Sequence, residues 1–314
     1  KTRRLVQLPG SLALVPIPSG SMPPRRSHRG PALGVAVCAS LLAALSARSA
    51  GGLRAAVAVV ARAPPPSSPQ QWQAHQSSVD QQMAHFWRDS SGHGISELEE
   101  RAILGTTDAQ LDKEADPSTY GEVTSFGCRQ IGEALGLDVY DEAQQAVFVD
   151  LGSGLGKLVV QAYVEWPSVV RSEGVEMSSS RASLASAAWT SMLASGEAAT
   201  LRGASHDLDG VVFDLTEDAA SFVSLGEGDL MLHDIQDATH IYVSSLCFGP
   251  DFMRKIARKI AGEAPELRAL VTLKPFPNGL PGFDHVDTFG ARMSWSIGRG
   301  GCSAYLYKRS EEAS

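Results

Sequence analysis

The chain has 314 residues, enough for one large domain or two small ones, and 43% of them are hydrophobic, which excludes disorder throughout. The formal net charge of −8 argues against a protein that holds nucleic acid through its overall charge, because phosphate binding needs clustered lysines and arginines. The cysteines lie far apart with no CxxC pair, which predicts reduced thiols and neither a disulfide framework nor a zinc site. They are Cys38, Cys128, Cys247 and Cys302.

Residues 1–71 are predicted to be a disordered leader. Basic residues at 25, 26 and 29 precede an apolar run at 33–47, and small residues follow the run. This is the layout of a secretory signal. The lengths of its parts fit a signal better if the chain starts at Met22. The run falls short of the roughly 20 residues that a bilayer span needs, so no stable membrane span is predicted. Two alternatives to a secretory signal remain, an organelle transit peptide of the plastid type and a leader with no targeting role. They remain because an Ala- and Arg-rich stretch at 51–62 and a Pro/Ser linker at 64–71 follow the apolar run.

Residues 72–118 predict a small helical cap before the main domain. The pattern at 77–115 is polar and helix-like, with Met83, Phe86 and Trp87 as the larger apolar anchors, and residues 95–104 form a second helical stretch. We identify no chemistry in this segment.

From residue 146 onward, short apolar runs alternate with longer amphipathic segments, which indicates a parallel sheet covered by helices. At the C-terminus, two apolar stretches flank a glycine-rich turn at 298–301 and predict an antiparallel hairpin that closes the sheet. The predicted strands are 146–151, 169–175, 222–225, 240–244 and 267–273, with the hairpin at 293–296 and 304–308, and the predicted helices are 156–166, 178–194 and 250–261. Pro167 ends the first helix, and Ser178 is the predicted N-cap of the second.

The first strand-to-helix turn carries the spacing D-x-G-x-G-x-G, formed by Asp150, Gly152, Gly154 and Gly156. Glycines let the backbone bend sharply and approach a ligand that a Cβ would push away. A dinucleotide-binding turn has G-x-G-x-x-G, whereas here the third glycine comes one residue early and Lys157 takes its place. An aspartate two residues before the first glycine suits the ammonium group of a methionine moiety better than a pyrophosphate.

The next strand ends at Glu176, where a carboxylate can accept hydrogen bonds from the two ribose hydroxyls of a nucleoside. Two carboxylates and a glycine turn, each at the carboxyl end of a strand, outline a site for S-adenosylmethionine, the predicted cofactor. A purely structural glycine turn is the alternative.

Seven short motifs follow one another between Tyr120 and Lys308. In chain order they are YGE with TSF at 120–126, FVDLGSGLGK at 148–157, GVE at 174–176, GDL at 228–230, FGP at 248–250, KPF at 274–276 and SW at 294–295. This series resembles the disruptor-of-telomeric-silencing (DOT-type, non-SET) histone H3 lysine methyltransferase family. The resemblance implies an α/β, class I S-adenosylmethionine-dependent methyltransferase fold, doubly wound and mostly parallel with a C-terminal antiparallel hairpin, over residues 119–309, with 310–314 as a tail.

The resemblance also implies a role for each matching residue. A loop at 120–123 would fold over the cofactor, residues 150–157 would hold its methionine end, Glu176 its ribose, and Asp229 with Leu230 its adenine. Residues 274–276 and Trp295 would line a channel for a lysine side chain, with Ser244 and Trp295 as the catalytic residues. The implied cofactor-binding residues are Tyr120, Gly121, Glu122, Val123, Phe148, Asp150, Gly152, Ser153, Gly154, Gly156, Lys157, Glu176, Asp229 and Leu230.

The sequence departs from the family pattern at four places. The family has Asn-Asn-Phe where this chain has Ser244, Ser245 and Leu246, so a shorter hydroxyl replaces an asparagine that is directed at the reacting centre. The aromatic pair expected near the end of the sheet is reduced to Ala304 and Tyr305, which would widen the channel. In the family a threonine directly follows YGE, whereas in this chain Val123 stands between them. Residues 200–220 look like an insertion.

The resemblance favours a histone H3 or nucleosome substrate and a chromatin regulator in the nucleus. Methyl transfer needs alignment and an uncharged amine, which an apolar channel supplies by desolvation, and no metal is predicted. The acidic clusters at 206–214 and 233–240 are interpreted as solvated loops. Two alternatives remain: a divergent or organellar methyltransferase with another protein or small molecule as acceptor, and a cofactor-binding module without turnover. The sequence indicates no oligomeric state.

Overall fold

The computed structural model describes residues 66–107, 120–139, 145–202, 222–296 and 300–311. The predicted signal segment with Met22, most of the insertion at 200–220, the acidic cluster at 206–214 and the end of the tail lie outside these residues, as do positions 298 and 299 of the predicted turn. None of the described helices is both long enough and apolar enough to span a bilayer.

Two helices precede the sheet: α1 (Pro69–Phe86) and α2 (Glu97–Thr107). Helix α1 begins inside the segment predicted as linker, because the Ser68 side chain accepts a hydrogen bond from the Gln71 amide at 3.2 Å and Pro69 occupies the first helical position. Val79, Met83 and Trp87 are buried and the half-buried Phe86 packs against the same cluster, so all three predicted anchors face the protein. The name helical cap is used below for residues 66–107.

Twelve further elements follow in the described residues. They are α3 (Ser125–Leu135), β1 (Ala146–Leu151), α4 (Lys157–Glu165), β2 (Val169–Glu176), α5 (Ser179–Ala194), α6 (Glu197–Leu201), β3 (Val223–Glu227), β4 (His240–Val243), α7 (Pro250–Glu263), β5 (Ala269–Thr272), β6 (Phe283–Ala291) and β7 (Cys302–Arg309). The prediction for β1 matches its observed bounds, and Ser178 caps α5 by accepting from the Arg181 amide at 3.2 Å.

The seven strands form one sheet in the order β3-β2-β1-β4-β5-β7-β6. The first five pair in parallel, and β7 lies antiparallel between β5 and β6. Neighbouring residues of β1 face opposite sides: Val149 and Leu151 pack with α7, whereas Phe148 packs with α3 and α4. Helices therefore cover both faces of the sheet, which confirms the predicted doubly wound fold with its closing hairpin.

The location predicted for the first strand of the hairpin is wrong. Residues 293–296 form a bridge and a turn, and β6 lies earlier, at Phe283–Ala291. Strand β6 is at the edge of the sheet, and its residues from Asp284 to Thr288 are exposed, so it lacks the apolar alternation on which the prediction relied. Met293 is buried because it bridges to Val123, outside the sheet.

Candidate active site

A cavity of about 490 Å³ opens at the carboxyl ends of β1, β2 and β4. The chain runs outward from β1 to β3 on one side and returns to place β4 on the other side of β1, which makes this the topological switch point where α/β sheets bind ligands. The volume lies within the usual range for small-molecule sites. Thirteen of the residues predicted for the site line it: Tyr120, Gly121, Glu122, Val123, Asp150, Gly152, Ser153, Gly154, Lys157, Glu176, Leu230, Ser244 and Trp295.

The glycine turn after β1 has the sharp bend that its sequence predicts. Gly152 and Gly154 have φ values of +96° and +55°, which favour glycine, and the amides of Gly152 and Ser153 both donate to the Val175 carbonyl at 3.0 Å. A Cβ on Gly154 would lie 2.9 Å from the Tyr120 ring. The glycine therefore allows a tyrosine to close against the turn.

Asp150 is buried at the end of β1, with 3% of its surface exposed, and its Oδ1 has no hydrogen-bond partner. Burial, together with the nearby Glu176 carboxylate, raises its pKa well above the usual value. A buried polar atom without a partner is costly, and in this place it faces a cavity. The arrangement is suited to a cationic donor such as an ammonium group, so Asp150 fits the cofactor that the sequence predicts.

The second carboxylate, Glu176, is held by backbone amides. Its Oε2 accepts from the Gly154 amide at 2.9 Å, and its Oε1 accepts from the Ser178 amide at 3.0 Å. The Arg181 Nη1 lies 3.8 Å from Oε1. Since each carboxylate oxygen has two lone pairs, Glu176 keeps the capacity to accept ribose hydroxyls.

The YGE segment is fixed over the glycine turn by a chain of polar contacts. The Tyr120 hydroxyl donates to Glu122 Oε1 at 2.7 Å, and Lys157 Nζ donates to Glu122 Oε2 at 2.7 Å. The Leu155 amide donates to the Tyr120 hydroxyl at 3.3 Å. Burial and the Glu122 carboxylate raise the pKa of Tyr120, so the phenol stays neutral and continues to donate.

Trp295 reaches the same segment from the C-terminal part of the chain. A Cβ on Gly121 would lie 2.0 Å from Trp295 Cε3, so the indole packs directly on the glycine backbone. The Ser294 amide donates to the Glu122 carbonyl at 2.7 Å, and the Glu122 amide donates to the Ser294 hydroxyl at 3.0 Å. Trp295 lines the cavity and is 41% exposed, which places it at the mouth.

The two serines after β4 have different environments. Ser244 lines the cavity. Ser245 is fully buried, and its hydroxyl oxygen accepts from the amides of Leu273 and Lys274 at 3.1 and 2.9 Å while contacting the Thr272 hydroxyl at 2.6 Å. Ser245 therefore joins the ends of β4 and β5, and Ser244 is the one that can meet a ligand.

The helical cap forms part of the cavity wall. Ile103 of α2 lines the cavity, and the Trp87 indole donates to the Leu155 carbonyl in the glycine turn at 2.8 Å. Arg181 Nε donates to the Gly92 carbonyl at 2.9 Å, and its guanidinium lies 4.7 Å from the centroid of the Tyr120 ring. A segment in which the sequence indicated no chemistry thus supports the site.

Several residues predicted for the site do not line the cavity. Phe148 points into the core, where its ring packs at 5.2 Å against Trp166, because it follows the alternation of β1. Gly156 is the N-cap of α4, and Asp229 instead accepts a hydrogen bond from the Met231 amide at 2.8 Å. Lys274 donates to the Phe248 carbonyl at 3.0 Å, and Phe276 packs in the core against Tyr307.

The structure adds lining residues that sequence reasoning missed. One of them, Tyr242, stands two residues before Ser244 in the predicted strand 240–244, and this spacing places two side chains on one face of a strand. Three more, Val175, Gly228 and Phe248, belong to the motifs at 174–176, 228–230 and 248–250, although no role was predicted for them. The remaining ones depend on the packing of separate elements and are Ile103, Leu158, Met177, Arg181, Leu246, Cys247 and Phe252.

Within the described residues, no group of three or more His, Cys, Asp or Glu side chains is placed to hold a metal ion. In the cluster at 233–240, His233 Nε2 lies 3.4 Å from Glu173, and Asp237 pairs with Arg171. His240 is buried in β4, so the interpretation of this cluster as a solvated loop is wrong for that residue.

Comparison with known proteins gives one family match. The sequence model described as "Histone methylation protein DOT1" matches residues 107–279, more than half of the chain. No curated protein matches significantly.

Similar solved structures include two methyltransferases. An RNA methyltransferase from Salinibacter ruber is 18% identical with a TM-score of 0.36, over 59% of this chain and 90% of that one. The magnesium protoporphyrin IX methyltransferase from Synechocystis PCC 6803 is 12% identical with a TM-score of 0.40, over 78% and 100% of the two chains. Because these scores are low, the fold assignment rests on the strand order and the family match.

Proposed function

The chain belongs to the histone methylation protein DOT1 family and is an S-adenosylmethionine-dependent methyltransferase, and we propose that it methylates a lysine of histone H3 in nucleosomes. One structural observation supports the methyl-donor part of this proposal most directly, whereas the histone acceptor rests on the family match. The buried Asp150 carboxylate has an unpartnered oxygen, lines the cavity, and lies near the second carboxylate at Glu176. Such a site favours a ligand with both a cationic and a hydroxyl-bearing end.

We assign the cofactor-side roles from these contacts. Asp150 accepts from the ammonium group, Glu176 from the ribose hydroxyls, and Leu230 provides an apolar contact for the adenine. The backbone of the glycine turn leaves room for the ligand, and the Tyr120–Glu122–Lys157 contacts hold the covering segment closed. When bound, S-adenosylmethionine supplies a methyl group on a positively charged sulfur.

The acceptor enters on the side of Ser244 and Trp295. Leu246, Phe248 and Phe252 also line the cavity, so the surroundings are largely apolar. An apolar environment lowers the pKa of a lysine amine and favours the neutral, nucleophilic form without a dedicated base. The chain then has to hold the amine in line with the methyl group, which is a task of positioning.

A nuclear location and a role in chromatin regulation follow from this acceptor. The net charge of −8 means that contact with nucleosomal DNA would depend on a local basic surface. Imaging of a fluorescent fusion of the whole chain tests the location. A nuclear signal supports the histone acceptor, and a signal confined to an organelle or the secretory route contradicts it.

The acceptor itself is tested by incubating the purified protein with methyl-labelled S-adenosylmethionine and either nucleosomes or free histones. We expect label on a lysine of H3, and more on nucleosomes than on free histones. Asp150→Asn should greatly reduce the label, whereas Asp284→Asn, at an exposed position of the edge strand, should not. Absence of label from every histone, with cofactor binding intact, would overturn the histone proposal.

A second candidate is methylation of another protein or a small molecule. Ser244 favours it, because its hydroxyl reaches less far into the cavity than the asparagine of the family pattern. Label on a non-histone acceptor in a cell extract, with none on nucleosomes, would support this candidate.

A further inference from the structure

Two carboxylates in the cavity could each pair with a cationic ligand. Asp150 and Glu176 lie at the ends of neighbouring strands, because Asp150 is the register partner of Gly174 in β2. Both side chains are buried, and both line the cavity. By charge alone, an ammonium group would bind at either of them. The orientation of a ligand that carries one ammonium group therefore depends on what else lies beside each carboxylate.

Arg181 lies next to one of the two carboxylates. Its Nη1 is 3.8 Å from Glu176 Oε1, and the arginine, which is 7% exposed, also lines the cavity. In the part of the chain that the structure describes, Asp150 forms no ion pair, and its Oδ1 has no hydrogen-bond partner. The protein therefore offsets the charge of Glu176 with an ion pair and leaves that of Asp150 to a ligand.

Two further contacts fix the position of the Arg181 guanidinium. Its Nε donates to the Gly92 carbonyl of the helical cap at 2.9 Å, and its carbon lies 4.7 Å from the centroid of the Tyr120 ring. A long cationic side chain on an open surface can move away from an approaching cation, whereas Arg181 is held from three sides. Because the arginine is buried, salt also screens its charge only weakly.

A cation that binds at Glu176 would therefore meet a fixed charge of the same sign. If it hydrogen-bonds to Oε1, it lies within about 7 Å of Arg181 Nη1. Repulsion between two unit charges at this separation near a protein surface lowers affinity about fiftyfold. A neutral hydroxyl meets no such repulsion and still finds an acceptor in the carboxylate.

We propose that Arg181 is a specificity-determining residue that sets the orientation of the methyl donor: it excludes a second cation from Glu176, so that the ammonium group binds at Asp150 and the neutral ribose hydroxyls bind at Glu176. Arginine suits this task because its guanidinium keeps its charge at every physiological pH. The inference rests on the roles proposed for the two carboxylates, and it does not depend on the histone acceptor.

The test compares S-adenosylhomocysteine with an analogue in which an amine replaces one ribose hydroxyl, called the amino-sugar analogue below. Both are titrated calorimetrically at a pH below the pKa of that amine. We expect the wild-type protein to bind the amino-sugar analogue about fiftyfold more weakly than S-adenosylhomocysteine. In Arg181→Met the difference should fall to about threefold or less, because Glu176 can then accept the ammonium group. A variant that merely loosened the site would weaken both ligands and would not gain affinity for one of them.

Two control variants separate the charge of Arg181 from its packing. Arg181→Lys keeps the charge and should keep most of the discrimination. Arg202 is the matched control, because its guanidinium lies 4.0 Å from the centroid of the Tyr163 ring and donates to the Tyr163 carbonyl at 2.6 Å. It is not among the residues that line the cavity, so Arg202→Met should discriminate as the wild-type protein does.

The inference is overturned if the wild-type protein binds the two ligands equally, or if Arg181→Met discriminates as strongly as the wild-type protein. Thermal unfolding without ligand shows whether Arg181→Met is folded. If it is not, Arg181→Gln gives the same test, since its amide can still donate to the Gly92 carbonyl while the charge is gone.

Failure of the proposed roles gives different results. If Glu176 does not hold the ribose, Glu176→Gln leaves the affinity for S-adenosylhomocysteine unchanged. If the acceptor is not a histone, nucleosomes stay unlabelled while the discrimination, and its loss in Arg181→Met, remain. Failure of the inference alone is a wild-type affinity that depends on Glu176 together with equal binding of the amino-sugar analogue.

Discussion

The buried Asp150 carboxylate is expected to lower the stability of the ligand-free protein. The pKa of Asp150 is higher in the folded protein than in the unfolded chain, so the folded protein holds this proton more tightly. The free energy of unfolding therefore falls as pH rises from about 4 through the folded pKa. We expect Asp150→Asn to stabilise the ligand-free protein at neutral pH by about 1–3 kcal/mol, with the advantage vanishing below the usual carboxylate pKa. Thermal unfolding of both proteins across pH 4–8 measures this. A wild-type protein that is more stable than Asp150→Asn at pH 8 would contradict this expectation.

His240 gives a pH dependence of the opposite sign. Burial, with a smaller contribution from the Arg268 charge, lowers its pKa from 6.5 to about 4. Because the unfolded chain takes up this proton more readily, stability is complete above pH 6.5 and is lost as pH falls toward 4. We expect the wild-type protein to lose about 3 kcal/mol over this interval relative to His240→Asn. Denaturant unfolding at each pH tests it, with His285→Asn, at an exposed histidine, as the control.

For single residues of the site, the sequence predicts those that belong to a recognisable motif. It misses those that reach the cavity only because distant segments pack together. Asp150 and Glu176 are predictable because each lies at the carboxyl end of a strand, and Asp150 stands two residues before the first glycine of the turn. Arg181 is not, since its contacts with Glu176 and the Gly92 carbonyl require two distant segments to meet. Ser244 and Ser245 look equivalent in sequence, and only the structure shows that the second is a buried link to β5.

Among the elements, one arginine links three helices. Arg129 of α3 pairs with Glu165 of α4 at 2.6 Å and with Asp80 of α1 at 2.7 Å. Burial raises the pKa of Glu165, although the hydrogen bond from Arg129 acts against this. We expect Arg129→Met to cost about 3–5 kcal/mol, because it leaves a buried carboxylate without its partner. Chemical unfolding measures the loss.

Glu165→Gln added to Arg129→Met should recover part of that stability. The control is Arg254→Met, which removes a more exposed pair with Asp251 on α7 and should cost about 1 kcal/mol or less. A loss for Arg129→Met no larger than that of the control would mean that the three-helix contact contributes little.

The sequence predicts strands well where they are buried. Strands β1, β4 and β5 are largely apolar because helices cover both of their faces, and β2 has apolar residues near its two ends; all four are found close to their predicted bounds. Strand β6 is missed because its exposed residues are polar except for Val286 and because its position depends on β7. Helix α1 starts early because one serine cap outweighs a linker-like composition.

For the whole molecule, the cavity joins parts of the chain that are far apart in sequence. The helical cap, the YGE segment, three strand ends and Trp295 all contribute lining residues. A ligand that binds only this folded arrangement stabilises it by mass action, by about 2.7 kcal/mol at a concentration 100 times its Kd. We therefore expect S-adenosylmethionine to raise the Tm of the wild-type protein and to raise that of Asp150→Asn much less.

The most direct test is calorimetric titration of S-adenosylmethionine into the wild-type protein, Asp150→Ala and Glu176→Ala, with Asp284→Ala as the exposed control. Loss of one charged hydrogen bond predicts a weakening of about 1.5–3 kcal/mol, roughly 10- to 150-fold in Kd, in each site variant and none in the control. Unchanged affinity in both site variants, or no binding by the wild-type protein, would contradict the account that this cavity holds the methyl donor.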